Sequence, residues 1–256
     1  MRYVGQRVIQ LLIVVLAVTF TVSLALSAMP NAKERVILSR GAGLTDEVAK
    51  QKLLDELHLN DSIPTQYVYF VKDLVSGNWG VTNQNEAVTS SIWSGLGVSV
   101  KLMIYGQLIA LLIAIPVAIN AAYRGGGLFD RMSTTTAFGF LATPAYILAP
   151  VLILLLAVRW QIFPARSKNI PIGQVWEHFR NFFLPSITLA IPLAAGYMRL
   201  LRADMVLTLQ SDFITTARAK GMSTFRILFG HALRPSLFSL LTSAAINVGT
   251  LVGGAL

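Results

Sequence analysis

The run LMIYGQLIALLIAIPVAINAAY, residues 102–123, contains no charged side chain and decides the fold class. A helix of about 20 apolar residues is long enough to cross the ~30 Å hydrocarbon core of a bilayer. The rest of the chain agrees, because 54% of its 256 residues are hydrophobic and only 13% are charged. That charged fraction is about half the average for soluble domains. We therefore expect an integral membrane protein with the lipid bilayer as its solvent.

Four more apolar runs of this kind, all without charge, lie at 8–29, 134–158, 182–198 and 236–256. Together the five runs predict an all-α integral membrane protein, a polytopic helical bundle with five spans. The first run is too long for the core of a signal peptide, which has about 7–15 residues. Prolines interrupt several of the runs, either as simple kinks or to bend helices around a central path. They are Pro116, Pro144, Pro150 and Pro192.

The Lys and Arg residues orient the bundle. With the N-terminus in the cytoplasm, the inner segments carry ten Lys/Arg and three Asp, a net charge of +7. The first outer segment, 30–101, then carries −1, and the second, 159–181, carries +3. Because cytoplasmic loops are enriched in Lys and Arg, we predict a multi-pass protein with a cytoplasmic N-terminus.

The first outer segment is too long for a simple connection, so we expect it to fold by itself. A first helix is predicted from the spacing of its apolar residues, with Thr45 as the cap and acidic residues in the first turn. The residues concerned are Leu44, Asp46, Glu47, Val48, Leu54 and Leu57. A second helix is predicted to begin at Pro64 and end at Gly77.

A polar segment at about 203–235 separates the last two runs, and its centre reads DFITTARAKGMS, residues 212–223. Gly221 predicts the end of one helix, and Ser223 or Thr224 the cap of the next. We therefore expect a short helix over 223–229 on the cytoplasmic surface.

This segment resembles the cytoplasmic EAA loop of permease subunits of bacterial ATP-binding cassette importers. The Glu-Ala-Ala-xxx-Gly pattern of that loop falls on Thr215, Thr216, Ala217 and Gly221, so its first two letters differ. In the form found here the loop is similar to that of the dipeptide, oligopeptide and nickel branch. Further matches follow in order along the chain: LHLN at 57–60, PTQY at 64–67, GNWG at 77–80, Asp130-Arg131, LPSITLA at 184–190 and HALR at 231–234.

The resemblance implies the fold of a type I importer permease. An N-terminal tail and first helix (1–29) would precede an extracytoplasmic helical segment (30–98) and a permease core (99–256). Family members continue with an outer segment and a sixth helix, so we expect the native chain to run past Leu256. The resemblance also implies a coupling helix that docks on an ATPase subunit. The residues expected in this site are Asp212, Thr216, Ala217, Arg218, Lys220, Gly221, Ser223 and Arg226.

The partners implied by the resemblance are a second homologous permease subunit in a heterodimer, two ATP-binding cassette ATPase subunits and an extracytoplasmic substrate-binding protein. The implied location is the bacterial cytoplasmic (inner) membrane. The cargo class is di- or oligopeptides, with nickel complexes and glutathione-like compounds left open. The chain has no Gly-x-x-x-x-Gly-Lys-Ser/Thr run, so ATP hydrolysis is expected in the partner subunits.

Other classes of function fit the sequence less well. An ion-coupled secondary transporter of small solutes is the alternative, but none of the five runs contains an ionisable residue. An enzyme is disfavoured because there is no cysteine and the three histidines, His58, His178 and His231, lack metal-ligand spacing. We therefore expect no catalytic residue, metal or cofactor. The basic residues form no stripe with aromatics, so no nucleic-acid partner is expected.

The predicted topology can be tested by cysteine labelling, because the chain contains no cysteine. We expect a cysteine in place of Asn85 to react with an impermeant maleimide in intact cells, and one in place of Thr224 to react only after permeabilisation. The opposite pattern would invert the orientation of every segment.

Overall fold

The computed structural model describes residues 2–31, 33–34, 37, 47–82, 86–166 and 174–254. It divides into two compact units, Met1–Ser94 and Gly95–Leu256. Within the described ranges, three helices are long and apolar enough to cross a membrane, and a sharply bent pair of helices would make a fourth span if counted as one. The predicted all-α membrane fold is confirmed.

The first unit contains α1 (Arg2–Ser27), α2 (Glu47–Glu56) and α3 (Ile63–Ser76). The predicted start and end of α3 are confirmed. Pro64 lies in its first turn, where a missing N–H costs nothing. Gly77 ends it in the left-handed conformation, φ +84°, with its N–H directed at the carbonyls of Asp73 and Leu74. The predicted cap of α2 at Thr45, with Leu44 and Asp46, lies outside the described residues, as does Asn85.

Tyr67 attaches α3 to α1. Its hydroxyl donates a hydrogen bond of 2.8 Å to the carbonyl of Leu16 and lies 2.8 Å from the hydroxyl of Thr19. Its ring packs edge-on against Phe20, with the ring centroids 5.1 Å apart. One side chain of α3 thus provides both polar and apolar contact with α1.

The second unit is a helical bundle. Its helices are α4 (Val88–Tyr123), which begins in the first unit, α5 (Leu128–Ala142), α6 (Ala145–Leu152), α7 (Val175–Leu209), α8 (Asp212–Ala219) and α9 (Leu233–Gly254). A π-helical turn, Ile153–Arg159, extends α6, and a second one, Arg226–Ala232, leads into α9. The predicted boundary at 98/99 falls inside α4.

Small side chains form the centre of this bundle. Ala110, Ala114 and Ala118 recur every four residues on α4 and are fully buried, as are alanines of α7 in the same cluster. Helices in lipid associate through close packing rather than through hydrophobic burial, and small residues allow their backbones to approach. Besides α4, α7 packs against α5, α6 and α9, so it is the central helix of the unit.

A chain of hydrogen bonds crosses the same core. The hydroxyl of Tyr197 on α7 donates to Oε1 of Gln107 on α4 over 3.1 Å. The same hydroxyl accepts a bond of 3.1 Å from Nδ2 of Asn247 on α9. Three helices are therefore joined at one buried tyrosine, which is only 2% exposed.

The third apolar run does not form one straight helix. It is broken at Thr143 and Pro144, and the helices on either side meet at 104°. Thr143 has an extended backbone, φ −91° and ψ 114°, because the proline ring disfavours the helical conformation in the residue before it. The predicted interruption of this run by proline is therefore a sharp break, and the two helices make one span only if the bent pair is counted together. The fifth run forms α9, but α9 is not among the helices that pass the length and composition criteria in the described part of the chain.

Gly106 tests the close contact between α4 and α7. A Cβ atom at this position would lie 3.5 Å from the Leu189 Cβ and 3.6 Å from the Ser186 carbonyl oxygen. We expect Gly106→Ala to be tolerated and Gly106→Leu to lower the free energy of unfolding by about 1–3 kcal/mol through overpacking. Thermal unfolding of the purified protein in detergent measures the difference.

The matched control is Gly139→Leu in α5, since no described atom lies within 4 Å of a Cβ there. Equal losses of stability at the two glycines would show that helix contact is not the cause.

Candidate functional site

The segment between α7 and α9 contains the residues predicted to couple to an ATPase. After α7 ends, Ser211 takes an extended conformation, and its carbonyl accepts the N–H of Ile214 over 3.1 Å to begin α8. Ile214 is fully buried, and Ala217, one turn later, is 6% exposed. These two side chains fix α8 to the bundle, so its other face is open to solvent.

The structure places most of the predicted site residues on that open side. Asp212, Thr216, Arg218, Lys220, Gly221, Ser223 and Arg226 are all exposed. Ala217 is the exception, because it faces the core. The candidate docking face therefore combines acidic, basic and hydroxyl side chains on a short helix held in place by its buried side.

Gly221 ends this helical segment in the left-handed conformation, with φ +75°. Its N–H donates to the carbonyl of Arg218 over 2.9 Å, and the next N–H, of Met222, donates to the carbonyl of Ala217 over 3.2 Å. No described atom lies within 4 Å of where a Cβ would be. Glycine is needed here for its backbone conformation and not for lack of space.

The predicted short helix over 223–229 is not a separate element. The Ser223 carbonyl accepts the N–H of Ile227 over 3.0 Å, which begins a helical turn as expected. However, the turn continues through the π-helical residues 226–232 directly into α9. Ile227 and Leu228 are buried against the bundle. The short helix that is separated from its neighbours along the chain by a break at each end is α8.

Three aromatic residues of this segment were missed from the sequence. Phe213, Phe225 and Phe229 are 51%, 71% and 42% exposed. The rings of Phe225 and Phe229 contact each other, with centroids 4.5 Å apart. Exposed aromatics beside charged residues are typical of protein interaction surfaces. Their presence in a segment predicted to lie in the cytoplasm could have identified them.

Close to this end of the bundle, an ion pair joins α5 to α7. The guanidinium of Arg202 donates through both Nε and Nη2 to the two carboxylate oxygens of Asp130, the Nη2 bond being 2.6 Å long. The N–H of Gly126 donates to Oδ2 of Asp130 over 2.9 Å. Asp130 is 3% exposed. From the sequence Arg202 was counted only as a charge of an inner loop and Asp130 also as part of the Asp130-Arg131 match, and their pairing was not predicted.

His178, in the second predicted outer segment (159–181), has neighbours that the sequence did not indicate. It lies on α7 and is 4% exposed. Its Nε2 is 2.9 Å from the hydroxyl of Tyr105 on α4, and its ring stacks on Phe182. Over the described residues, no group of three or more His, Asp or Glu side chains could hold a metal ion.

The fold and this segment together define a class, a multi-pass helical membrane protein that exposes a broken helical segment between its last two long helices. The comparisons with known proteins identify the class more closely. The family model for the inner membrane component of binding-protein-dependent transport systems matches residues 114–256. The chain belongs to this family and is a permease subunit of an ATP-binding cassette importer.

Curated relatives cover nearly the whole chain. An oligopeptide transport system permease protein of Mycobacterium tuberculosis (strain ATCC 25618 / H37Rv) is 32% identical over 99% of this chain and 81% of its own length. A probable peptide ABC transporter permease protein of Sinorhizobium fredii is 28% identical over 98% and 80%. A dipeptide transport system permease protein of Bacillus subtilis (strain 168) is 30% identical over 95% and 74%.

The ion pair predicts an asymmetric response to mutation. We expect Arg202→Met to destabilise the protein by about 3 kcal/mol, because it leaves the buried Asp130 carboxylate without its partner. The double variant Asp130→Asn/Arg202→Met should recover most of that loss, since the uncompensated charge is gone. Thermal unfolding of the single and double variants gives the coupling energy. Additive losses would show that the two side chains do not depend on each other.

Proposed function

We propose that the chain forms part of the translocation path for di- or oligopeptides delivered by an external substrate-binding protein. We further propose that α8 and the Gly221 turn dock on an ATP-binding cassette subunit. The relatives described above have peptides in their names, which supports the cargo class. The observation that carries the docking proposal is the exposed face of α8, whose opposite side is anchored by Ile214 and Ala217.

The chemistry of this face suits a protein partner. Asp212, Arg218 and Lys220 can form charge-assisted hydrogen bonds across an interface. Phe225 and Phe229 offer apolar area that a partner would remove from water. A face that combines charged and aromatic side chains on a fixed backbone fulfils the usual requirements for specific association.

The same segment can transmit movement into the membrane. The π-helical turn is continuous with α9, and Ile227 is buried against the bundle. A cavity of about 240 Å³ lies between this turn and the end of α4, and Pro116, Tyr123 and Phe229 are among the residues that line it. We infer that closure of the ATPase subunits displaces α8 and the turn, which have room to shift at this cavity, and that α9 moves with them.

The proposed assembly follows from the number of docking segments. The described part of this chain offers one such segment, whereas two ATPase subunits need two. The resemblance of the loop to the dipeptide and oligopeptide branch implies that the second permease is a related but different chain. We therefore propose a heterodimer with a second homologous permease, two ATP-binding cassette ATPase subunits and an extracytoplasmic binding protein. A cytoplasmic N-terminus places α8 on the side where ATP is available. ATP hydrolysis is assigned to the partner subunits.

Substitution of Gly221 tests the docking site. The left-handed conformation costs an L-residue roughly 1–2 kcal/mol, so we expect Gly221→Ala to reduce ATPase docking and peptide uptake about tenfold. Gly221→Asn should lose less, since asparagine tolerates this conformation. Copurification of the ATPase subunits and uptake of a radiolabelled dipeptide are the two measurements.

The matched control is Gly230→Ala, in the same segment. Its φ is not left-handed, and its Cβ would make only an ordinary contact of 3.8 Å with Arg226 Cγ. Normal uptake and docking by a well-inserted Gly221→Ala variant would remove the docking assignment.

A further inference from the structure

A second cavity lies far along α4 and α7 from the candidate docking face. Its volume is about 320 Å³, near the lower end of the ~300–1,000 Å³ range of small-molecule sites. Most of its wall is aliphatic or aromatic. The wall includes Leu108 and Ile109 of α4 and Phe179, Phe182 and Phe183 of α7. We call this cavity the α4–α7 pocket.

Polar atoms line one part of the α4–α7 pocket. Ser186 is fully buried, and its hydroxyl has no hydrogen-bond partner in the described part of the chain. Tyr105 and His178, which are bonded to each other, also line the pocket. A buried hydroxyl without a partner costs about 1–3 kcal/mol. A ligand that offers a polar group to Ser186 would remove that cost.

A basic side chain stands beside the pocket. Lys101 lies one turn before Tyr105 on the same face of α4, and its ammonium is 5.8 Å from the ring centroid of Phe182. No carboxylate among the described residues pairs with it. The free ammonium therefore favours an anionic group on the ligand.

We propose that the α4–α7 pocket binds the C-terminal residue of a short peptide. The peptide carboxylate pairs with Lys101, and its side chain, aliphatic or aromatic, fills the pocket with any polar tip toward Ser186. This proposal rests on the proposed function, because it names a subsite for the same cargo. An acyl chain of a lipid fits less well, since it would leave the Ser186 hydroxyl without a partner and would need a longer cavity.

The test uses the complete transporter with its partner subunits in membrane vesicles. The photo-crosslinking residue p-benzoylphenylalanine replaces Leu108, which lines the pocket. In the control it replaces Leu112, which lies on the same helix, is 73% exposed and is not part of the pocket wall. The vesicles are illuminated during uptake of tritiated Ala-Phe. We expect at least tenfold more peptide adduct at 108 than at 112.

The role of Lys101 is tested in the variant that carries p-benzoylphenylalanine at position 108. We expect Lys101→Met to reduce the adduct at least tenfold, Lys101→Arg to restore it, and the exposed control Lys72→Met to leave it unchanged. The adduct with Ala-Phe amide should be weak and insensitive to Lys101→Met, because the amide lacks the carboxylate.

Each contrary result has a distinct meaning. Mass spectrometry that finds lipid rather than peptide at 108 would make the pocket a lipid site. Equal peptide labelling at 108 and 112 would overturn the proposed subsite, and so would labelling that Lys101→Met leaves intact. In both cases peptide uptake by the wild-type complex would still uphold the proposed function. Absence of peptide uptake by the wild-type complex would overturn both.

Discussion

Close contact between α4 and α7 through small side chains is the constraint on which the second unit depends. In lipid there is no hydrophobic gain from bringing two apolar helices together, so dispersion contacts and hydrogen bonds must hold them. Alanines spaced every four residues on α4 let the backbones approach. Because α7 also contacts α5, α6 and α9, a change in its distance from α4 would disturb these contacts as well.

One helix, α7, connects the features on which the proposals depend. Along α7, His178 lies beside the α4–α7 pocket, Tyr197 joins three helices, and Arg202 pairs with Asp130. The candidate docking segment begins directly after α7 ends. Two prolines interrupt this helix: Pro185, next to the pocket-lining Ser186, and Pro192, between the pocket and Tyr197. They are the positions where the helix can bend while the packed half that contains Tyr197 and Arg202 stays intact.

Local signals allowed part of the structure to be predicted. The apolar runs at 8–29, 102–123 and 182–198 identified three helices long and apolar enough to cross a membrane, and Gly77 and Gly221 identified left-handed helix ends, since these features depend on neighbouring residues alone. Contacts between distant residues gave no such signal. Asp130 and Arg202 are 72 positions apart, and each alone resembles an ordinary charge of an inner loop. Pro144 indicated a break in the third run, but the 104° angle between the two helices depends on packing against α7. No local pattern distinguishes a π-helical turn from an α-helical one.

The pairing of Asp130 with Arg202 also bears on biosynthesis. The ribosome makes Asp130 long before Arg202, so the carboxylate has no guanidinium to pair with while α5 leaves the translocon. A lone ionised carboxylate is costly in hydrocarbon, which favours a position of Asp130 near the lipid headgroups until α7 has been made. The contact between α5 and α7 at this pair can therefore be completed only after α7, which follows α6 in the chain, has been made.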